Sequence, residues 1–340
     1  MTLQVAALTG GRQVPSARFR VRELIEPLAS QEIAVREFVP AVSKYPPTSR
    51  AARPLWFAGA LAARLPGVLG SHACEVTLLQ RELLSTLITL ESLTRRPRVL
   101  DVDDAIFLRR DGKTARRLAQ RVDAIVCGND YLADWFSQHH DRVSVVPTGI
   151  DTRRFVPGKK DANQQETVVV GWTGSRGNLR YLEAIAPALT AAMAAAPVLR
   201  LHVVCDAPPH LPGVDPARVT FIPWQAATEV RSVQGFDIGI MPLNDGPWER
   251  GKCAFKLLQY LACGVPVVAS PVGANQTLLD AASIGHAATT NAEWRDALLA
   301  LSGDASRRER LGQTGRELMI ERYDTRVVAA ALGRALRQAL

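Results

Sequence analysis

Short apolar runs rich in β-branched residues alternate with amphipathic, helix-like stretches along almost the whole chain, which leaves few folds open. The strand-like runs in the first half are Leu3–Leu8, Ile33–Val39, Val76–Gln80, Arg98–Val102, Ala124–Cys127 and Val143–Val146. Helical patterning falls between them, for example over Ala17–Ala29 and Asp130–Gln138. The stretch Pro157–Glu166 (PGKKDANQQE) is polar, turn-rich and without periodicity, and reads as a linker. The alternation then restarts, with strands expected at Thr167–Trp172, Arg200–Cys205, Val219–Ile222, Phe236–Met241 and Val265–Ala269. Expected helices here are Leu179–Ala194, Phe255–Ala262, Glu293–Leu301 and Ser306–Arg322. Strands separated by helices need crossover connections, so they predict parallel sheets. Two such runs within 340 residues predict an α/β protein of two facing, Rossmann-like, doubly wound domains. An interdomain cleft is expected at the C-terminal ends of the strands.

Charge narrows the partners. Lys and Arg exceed Asp and Glu by 8, and the surplus is uneven: 22 against 16 in residues 1–157, and 19 against 17 in residues 158–340. A basic balance suits an anionic membrane, a phosphorylated small molecule or nucleic acid. No helix-turn-helix, zinc-finger or RNP pattern accompanies the charge, so nucleic acid is not expected. The five cysteines are odd in number and contain no C-x-x-C, which argues against a disulfide framework or a cysteine zinc site. Buried reduced thiols are the plain reading of Cys127 and Cys205. No stretch has the length of about 18 apolar residues needed to span a bilayer, and the N-terminal run is too short for a signal peptide. A cytoplasmic, soluble protein is expected. Arg50–Gly70 has two readings: a helix packed on the core, which is preferred, or an amphipathic helix peripheral on the inner face of an anionic plasma membrane.

Several clusters could carry chemistry. Gly10 and Gly11 follow the first strand and precede a helix, where bare backbone and a helix N-terminus favour an anion. Arg18 and Arg20, at that helix start, oppose its dipole, and a bound anion would account for them. Asp101, Asp103 and Asp104 end a strand and repel one another unless a cation or hydroxyl donors satisfy them. A metal clamp, a metal-free cleft carboxylate and a solvated strand end are all open, the second being preferred. The densest stretch is Phe236–Asn275. There a buried strand feeds a loop with Asp245, Trp248, Glu249, Arg250 and Lys252, then a helix with Lys256 and Gln259. Lys252 and Lys256 are four apart; if both sit at the helix start they share a face and can grip a diphosphate. Gln259 and Glu249 suit sugar hydroxyls.

Within that stretch, KLLQYLACGVPVVAS from Lys256 to Ser270 resembles the C-terminal motif of the retaining glycosyltransferases of family four, which have the GT-B fold. AIVCGNDYLA from Ala124, then VVPTGID from Val145 and Phe155–Pro157, resemble the run that closes that family's first domain. GWTGSRG from Gly171 resembles its first turn in the second domain, and Gly10-Gly11 its N-terminal glycine loop. The resemblance covers nearly the whole chain in the expected order. It departs at the family's two glutamates, whose positions hold Gly251 and Gln259, and at an arginine whose position holds Trp172. Asp103 stands roughly where the family has a cleft histidine.

The resemblance implies transfer of a sugar from a nucleoside diphosphate sugar to a glycan or lipid-linked acceptor, with retention, in surface polysaccharide or glycolipid synthesis. Basic residues replace a metal in such enzymes, so no metal and no cofactor is expected. Arg176, Lys252 and Lys256 are assigned to the diphosphate, Gln259 to the ribose, and Glu249 and Asp245 to the donor sugar. Gly174 belongs to the donor turn. Trp224 is placed near the base, with core packing the preferred reading. Gly10, Gly11, Arg18 and Arg20 face the acceptor, and Asp103, Glu249 and Lys252 are the catalytic candidates. The expected domains are 1–157, 158–324 and a helix, 325–340, returning to the first. The alternative is a catalytically impaired homologue acting as a sugar-nucleotide-binding partner subunit.

Overall fold

A computed structural model of the chain describes residues 1–12, 14–158 and 167–340. Of the expected linker, residues 159–166 lie outside the described residues. The chain divides into two compact units. The first comprises Met1–Gly149, Arg250–Cys253 and Thr325–Leu340; the second comprises Ile150–Glu249 and Ala254–Asp324.

The first unit holds a six-stranded parallel sheet in the order β2-β1-β3-β4-β5-β6. Its strands are β1 (Leu3–Leu8), β2 (Ile33–Phe38), β3 (Val76–Gln80), β4 (Arg98–Val102), β5 (Ala124–Cys127) and β6 (Val143–Val145). Every residue of β3, β4 and β5 is buried, as a sheet covered on both faces requires. Leu3, Val5 and Ala7 alternate onto one face and meet Leu24 and Leu28. The same cluster contains Val328, Ala329, Leu332 and Leu336 of the C-terminal helix Thr325–Gln338, which therefore forms part of this core.

The second unit repeats the plan in the order β12-β11-β10-β7-β8-β9. Its strands are β7 (Val168–Thr173), β8 (Leu199–Cys205), β9 (Val219–Pro223), β10 (Ile238–Met241), β11 (Val267–Ala269) and β12 (Gly285–Ala287). Val168, Val170 and Trp172 enter one apolar cluster, whereas Val169 enters the other, so the sheet is packed on both faces. The backbone division falls at Gly149 rather than residue 157. Ile150 and Phe155 are fully buried in the second unit's core, and the Ile150 N–H donates to the Tyr323 carbonyl at 2.8 Å.

Local sequence explains the elements that matter for a site. The helix Phe255–Ala262 stops because Gly264 takes φ +71°, which a side chain would resist. The Gly264 N–H donates to Leu261 O and the Val265 N–H to Tyr260 O, both at 2.9 Å, closing the last turn. Pro266 then cannot extend the helix, and β11 begins. The expected helix Leu179–Ala194 is instead two, Leu179–Ala184 and Ala186–Ala195, because Pro187 starts a new first turn.

Candidate functional site

In open parallel sheets, ligands bind beyond the strand C-terminal ends where the strand order reverses. That point lies between β1 and β3 in the first sheet, and between β7 and β10 in the second.

At the second switch point, β7 ends in the turn that carries Gly174 and Arg176. The Gly174 N–H donates to Val204 O at 3.0 Å. A Cβ at Gly174 would stand 2.5 Å from the Trp172 ring and 3.1 Å from the Lys256 side chain, so only glycine lets the turn lie this close. Lys256, in the first turn of its helix, holds its ammonium 5.5 Å from the centre of the Trp172 ring. Trp172, at the family's arginine position, thus sits buried beneath a cation rather than supplying one. Arg176 is exposed, and its backbone N–H donates to Asp206 Oδ1 at 2.6 Å, which holds the Asp206 carboxyl below its ordinary range. Asp245 is exposed in the loop after β10. Trp224 is 42% exposed, so its preferred core-packing reading is corrected: β9 is an edge strand, and the residue just past it stays outside.

Two assigned residues are buried in networks that the spacing did not reveal. Glu249 accepts from the Tyr181 hydroxyl and from Arg180 at 3.1 Å. Gln259 is 3% exposed, and its Nε2 donates to Glu229 Oε1 at 2.9 Å, while Arg154 Nη2 donates to Glu229 Oε2 at 2.9 Å.

The first switch point is densely charged. Arg20 and Asp101 form a buried ion pair, and Arg20 Nη1 also donates to Val146 O at 2.7 Å. Burial opposes the charge on Arg20, but Asp101 outweighs it and holds the guanidinium pKa above its ordinary value. Arg81, just past β3, pairs with Asp103 at 2.9 Å and Asp104 at 2.7 Å, and donates to Ser16 Oγ at 2.6 Å. It does so from φ +59°, a left-handed conformation that costs roughly 1–2 kcal/mol for an L-residue. Burial and the adjacent Asp103 raise the Asp104 pKa. Gln80 joins the cluster, accepting from the Gly10 N–H at 3.3 Å and donating to Ser16 at 2.9 Å. Lys44 is 1% exposed, lies against Gly10, and its ammonium has no hydrogen-bond partner among the described residues. Burial, with Arg81 nearby, lowers its pKa to about 8.

These contacts correct two expectations. Arg18 and Arg20 do not need a bound anion, because Arg18 pairs with Glu23 at 2.8 Å and Arg20 with Asp101. Arg20 and Arg81 lie against the three carboxylates of the acidic run; among the described residues no three His, Cys, Asp or Glu are grouped to hold an ion. Lys252 and Lys256 do not share a helix face: the helix begins at Phe255, and Lys252 belongs to the first unit, where Asn129 Nδ2 donates to its carbonyl at 3.0 Å. Lys252 lies near enough to Asp104 to lower that carboxyl's pKa against the effects of burial and Asp103. At Gly251 a Cβ would stand 2.7 Å from the Ala105 side chain, so the position has no room for a glutamate.

Arg50–Gly70 also differs from the preferred reading. Its helices, Arg53–Ala62 and Leu65–Ser71, leave Leu55 82% and Leu69 70% exposed, and Phe57 and Leu65 are exposed as well. Arg64 is the buried one, donating to Leu83 O at 2.6 Å and Ala60 O at 2.7 Å. Among the described residues no helix is long and apolar enough to cross a membrane.

Sequence reasoning missed Lys44, Arg81, Glu229 and Arg154. Only Arg81 had a visible cue, a charged Arg-Glu pair directly after a buried strand.

The two sheets and their switch points define an α/β protein of the GT-B glycosyltransferase fold. The chain superposes on a sucrose-phosphate synthase from Thermosynechococcus elongatus with TM-score 0.71 and 15% identity, covering 99% of this chain and 98% of that one. It superposes on Anabaena HepE, in a complex with UDP and glucose, with TM-score 0.73 and 14% identity over 99% and 100%. Residues 166–304 match the family model of the glycosyl transferases group 1. A D-inositol 3-phosphate glycosyltransferase of Stackebrandtia nassauensis is 29% identical over 211 residues, 54% of this chain and 46% of that protein. A Bacillus subtilis relative named for teichuronic acid biosynthesis is 27% identical over 183 residues, 48% of this chain and 44% of that protein. The chain thus matches less than half the length of either relative.

Proposed function

We propose that the chain transfers a sugar from a nucleoside diphosphate sugar to a glycan or lipid-linked acceptor, with retention, in surface polysaccharide or glycolipid synthesis. The observation that carries this reading is Lys256 seated over Trp172 beside Gly174, at the switch point of a group 1 glycosyl transferase segment. Breaking a glycosyl–diphosphate bond requires stabilising the departing anion. Lys256 and Arg176 are the second-unit cations assigned to that charge, Gly174 gives the phosphates access to backbone, and Gln259 takes the ribose. Asp245 contacts the donor sugar and Trp224 the base.

Glu249 acts from behind, since its carboxylate is shared by Tyr181 and Arg180. Lys252, Asp103, Gly10 and Gly11 belong to the acceptor side in this reading. The reaction is proposed to need no metal. The exposed apolar side chains of Arg50–Gly70, with Arg50 and Arg53 beside them, support peripheral contact with an anionic cytoplasmic membrane surface.

A thermal-unfolding screen of UDP-, GDP- and ADP-sugars tests the donor assignment, because a bound ligand raises the melting temperature by mass action. At least one should do so, and EDTA should leave that shift unchanged. If none stabilises the protein, the proposal fails; if one binds but turns over on no acceptor, the chain is a sugar-nucleotide-binding partner rather than an enzyme.

A further inference from the structure

We infer that Glu229, on a separate helix, is the positioning residue for the donor's ribose, and that it is the reason position 259 holds glutamine. This deepens the nucleotide-sugar reading and rests on it. Glu229 is 5% exposed, and both its oxygens are engaged: Oε1 by the Gln259 amide, Oε2 by Arg154. A side-chain amide has one donor end and one acceptor end. Because Nε2 points at Glu229, the Gln259 carbonyl oxygen is turned away from that carboxylate, and it alone can accept from ribose hydroxyls. Without Glu229 the amide would have no preferred orientation. A carboxylate at 259 would put two acids within hydrogen-bond distance of each other in a buried place, where each opposes ionisation of the other. The negative charge therefore stands at 229, one layer behind the ribose position, and the residue at 259 is neutral. Glu229 and Gln259 form one unit carrying one negative charge.

The arrangement is symmetric enough to exchange. In E229Q/Q259E, the amide introduced at 229 would accept from Arg154 and donate to the carboxylate introduced at 259, so the charge count and both hydrogen bonds survive. The test compares wild type, Q259E, E229A and E229Q/Q259E. Thermal unfolding and calorimetry are read with whichever of UDP, GDP or ADP binds, and with its 2′-deoxy and 3′-deoxy forms.

In wild type, removing a recognised hydroxyl should weaken binding about three- to tenfold, the effect of one neutral hydrogen bond. E229A should bring that ratio close to one and raise KM for the sugar nucleotide without lowering kcat. Q259E should melt several degrees lower at pH 8 than at pH 5, and the exchange variant should recover both melting temperature and hydroxyl discrimination. A Q259E protein that melts and discriminates like wild type, or an exchange variant no better than Q259E, overturns the inference. Wild type binding none of the three diphosphates overturns the nucleotide-sugar reading and the ribose role with it, whereas the melting series still reports on the charge pair by itself.

Discussion

The strand ends of the two sheets occupy the same place in the same topology, yet they handle charge in opposite ways. Around β1, β3 and β4 the charges are internal: Arg20 and Asp101 are buried together, Arg81 bridges Asp103 and Asp104, and Lys44 is enclosed beside Gly10. Around β7 and β10 the cations stand nearer the surface, with Arg176 exposed and Lys256 stacked on an indole, and the buried carboxylates lie in separate networks. A buried ion pair stabilises mainly in the sense that breaking it is expensive, whereas a partly exposed cation can exchange water for a ligand phosphate at small loss. The first switch point is thus built from its own charges, and the second is suited to a charge from outside.

The largest test of that contrast is Arg20→Ala. It leaves Asp101 buried without its partner and should lower unfolding stability by about 3–5 kcal/mol in urea titrations. Replacing both, as R20M/D101L, should recover most of the loss, since apolar pairs of similar size often match a buried salt bridge. If the single variant is as stable as wild type, the first switch point is not held by its ion pairs.

Lys44→Met should be stabilising, by about 1–3 kcal/mol at pH 7, because it removes a buried ammonium that lacks a hydrogen-bond partner among the described residues. The sign with pH follows from linkage. The folded-state value of about 8 lies below the roughly 10.4 of an unfolded lysine, so between those values the unfolded chain holds more protons. Wild-type stability should gain a rising contribution across that interval, and the advantage of Lys44→Met should shrink as it does.

Lys256→Ala probes the other region. The affinity for a nucleoside diphosphate should fall by about 1.5–3 kcal/mol, tenfold or more, while stability changes by less than about 1 kcal/mol. An equal loss of stability and affinity would erase the distinction between the two sites. The smallest expected effect is at the exposed helices: L55S/L69S should leave stability within about 0.5 kcal/mol and yet reduce cosedimentation with anionic vesicles.

Much of the architecture was legible because buried parallel strands are nearly continuous apolar runs. Among the described residues, β1 to β11 all lie within one to two residues of the expected runs. The exception, β12 (Gly285–Ala287), is three residues long and carries a histidine, too short and too polar to stand out. The candidate site was legible only where one local stretch carries it, as with Gly174, Lys256 and the helix stop at Gly264. Trp172 beneath Lys256, Arg81 between two aspartates, and Gln259 against Glu229 join residues 84, 22 and 30 positions apart, and spacing along the chain holds no record of such meetings.

Two parallel α/β sheets and the resemblance to a glycosyl transferase motif can be read from the order of residues alone, because periodicity, helix stops and tight glycine turns act over a few residues. Which charges are internal depends on the packed fold. Folding set Arg20, Arg64 and Lys44 inside and Leu55 and Leu69 outside, against their hydropathy: Arg20 and Arg64 are held by the Val146 and Leu83 carbonyls, and Lys44 is enclosed against Gly10 past the end of β1, all brought together from distant parts of the chain.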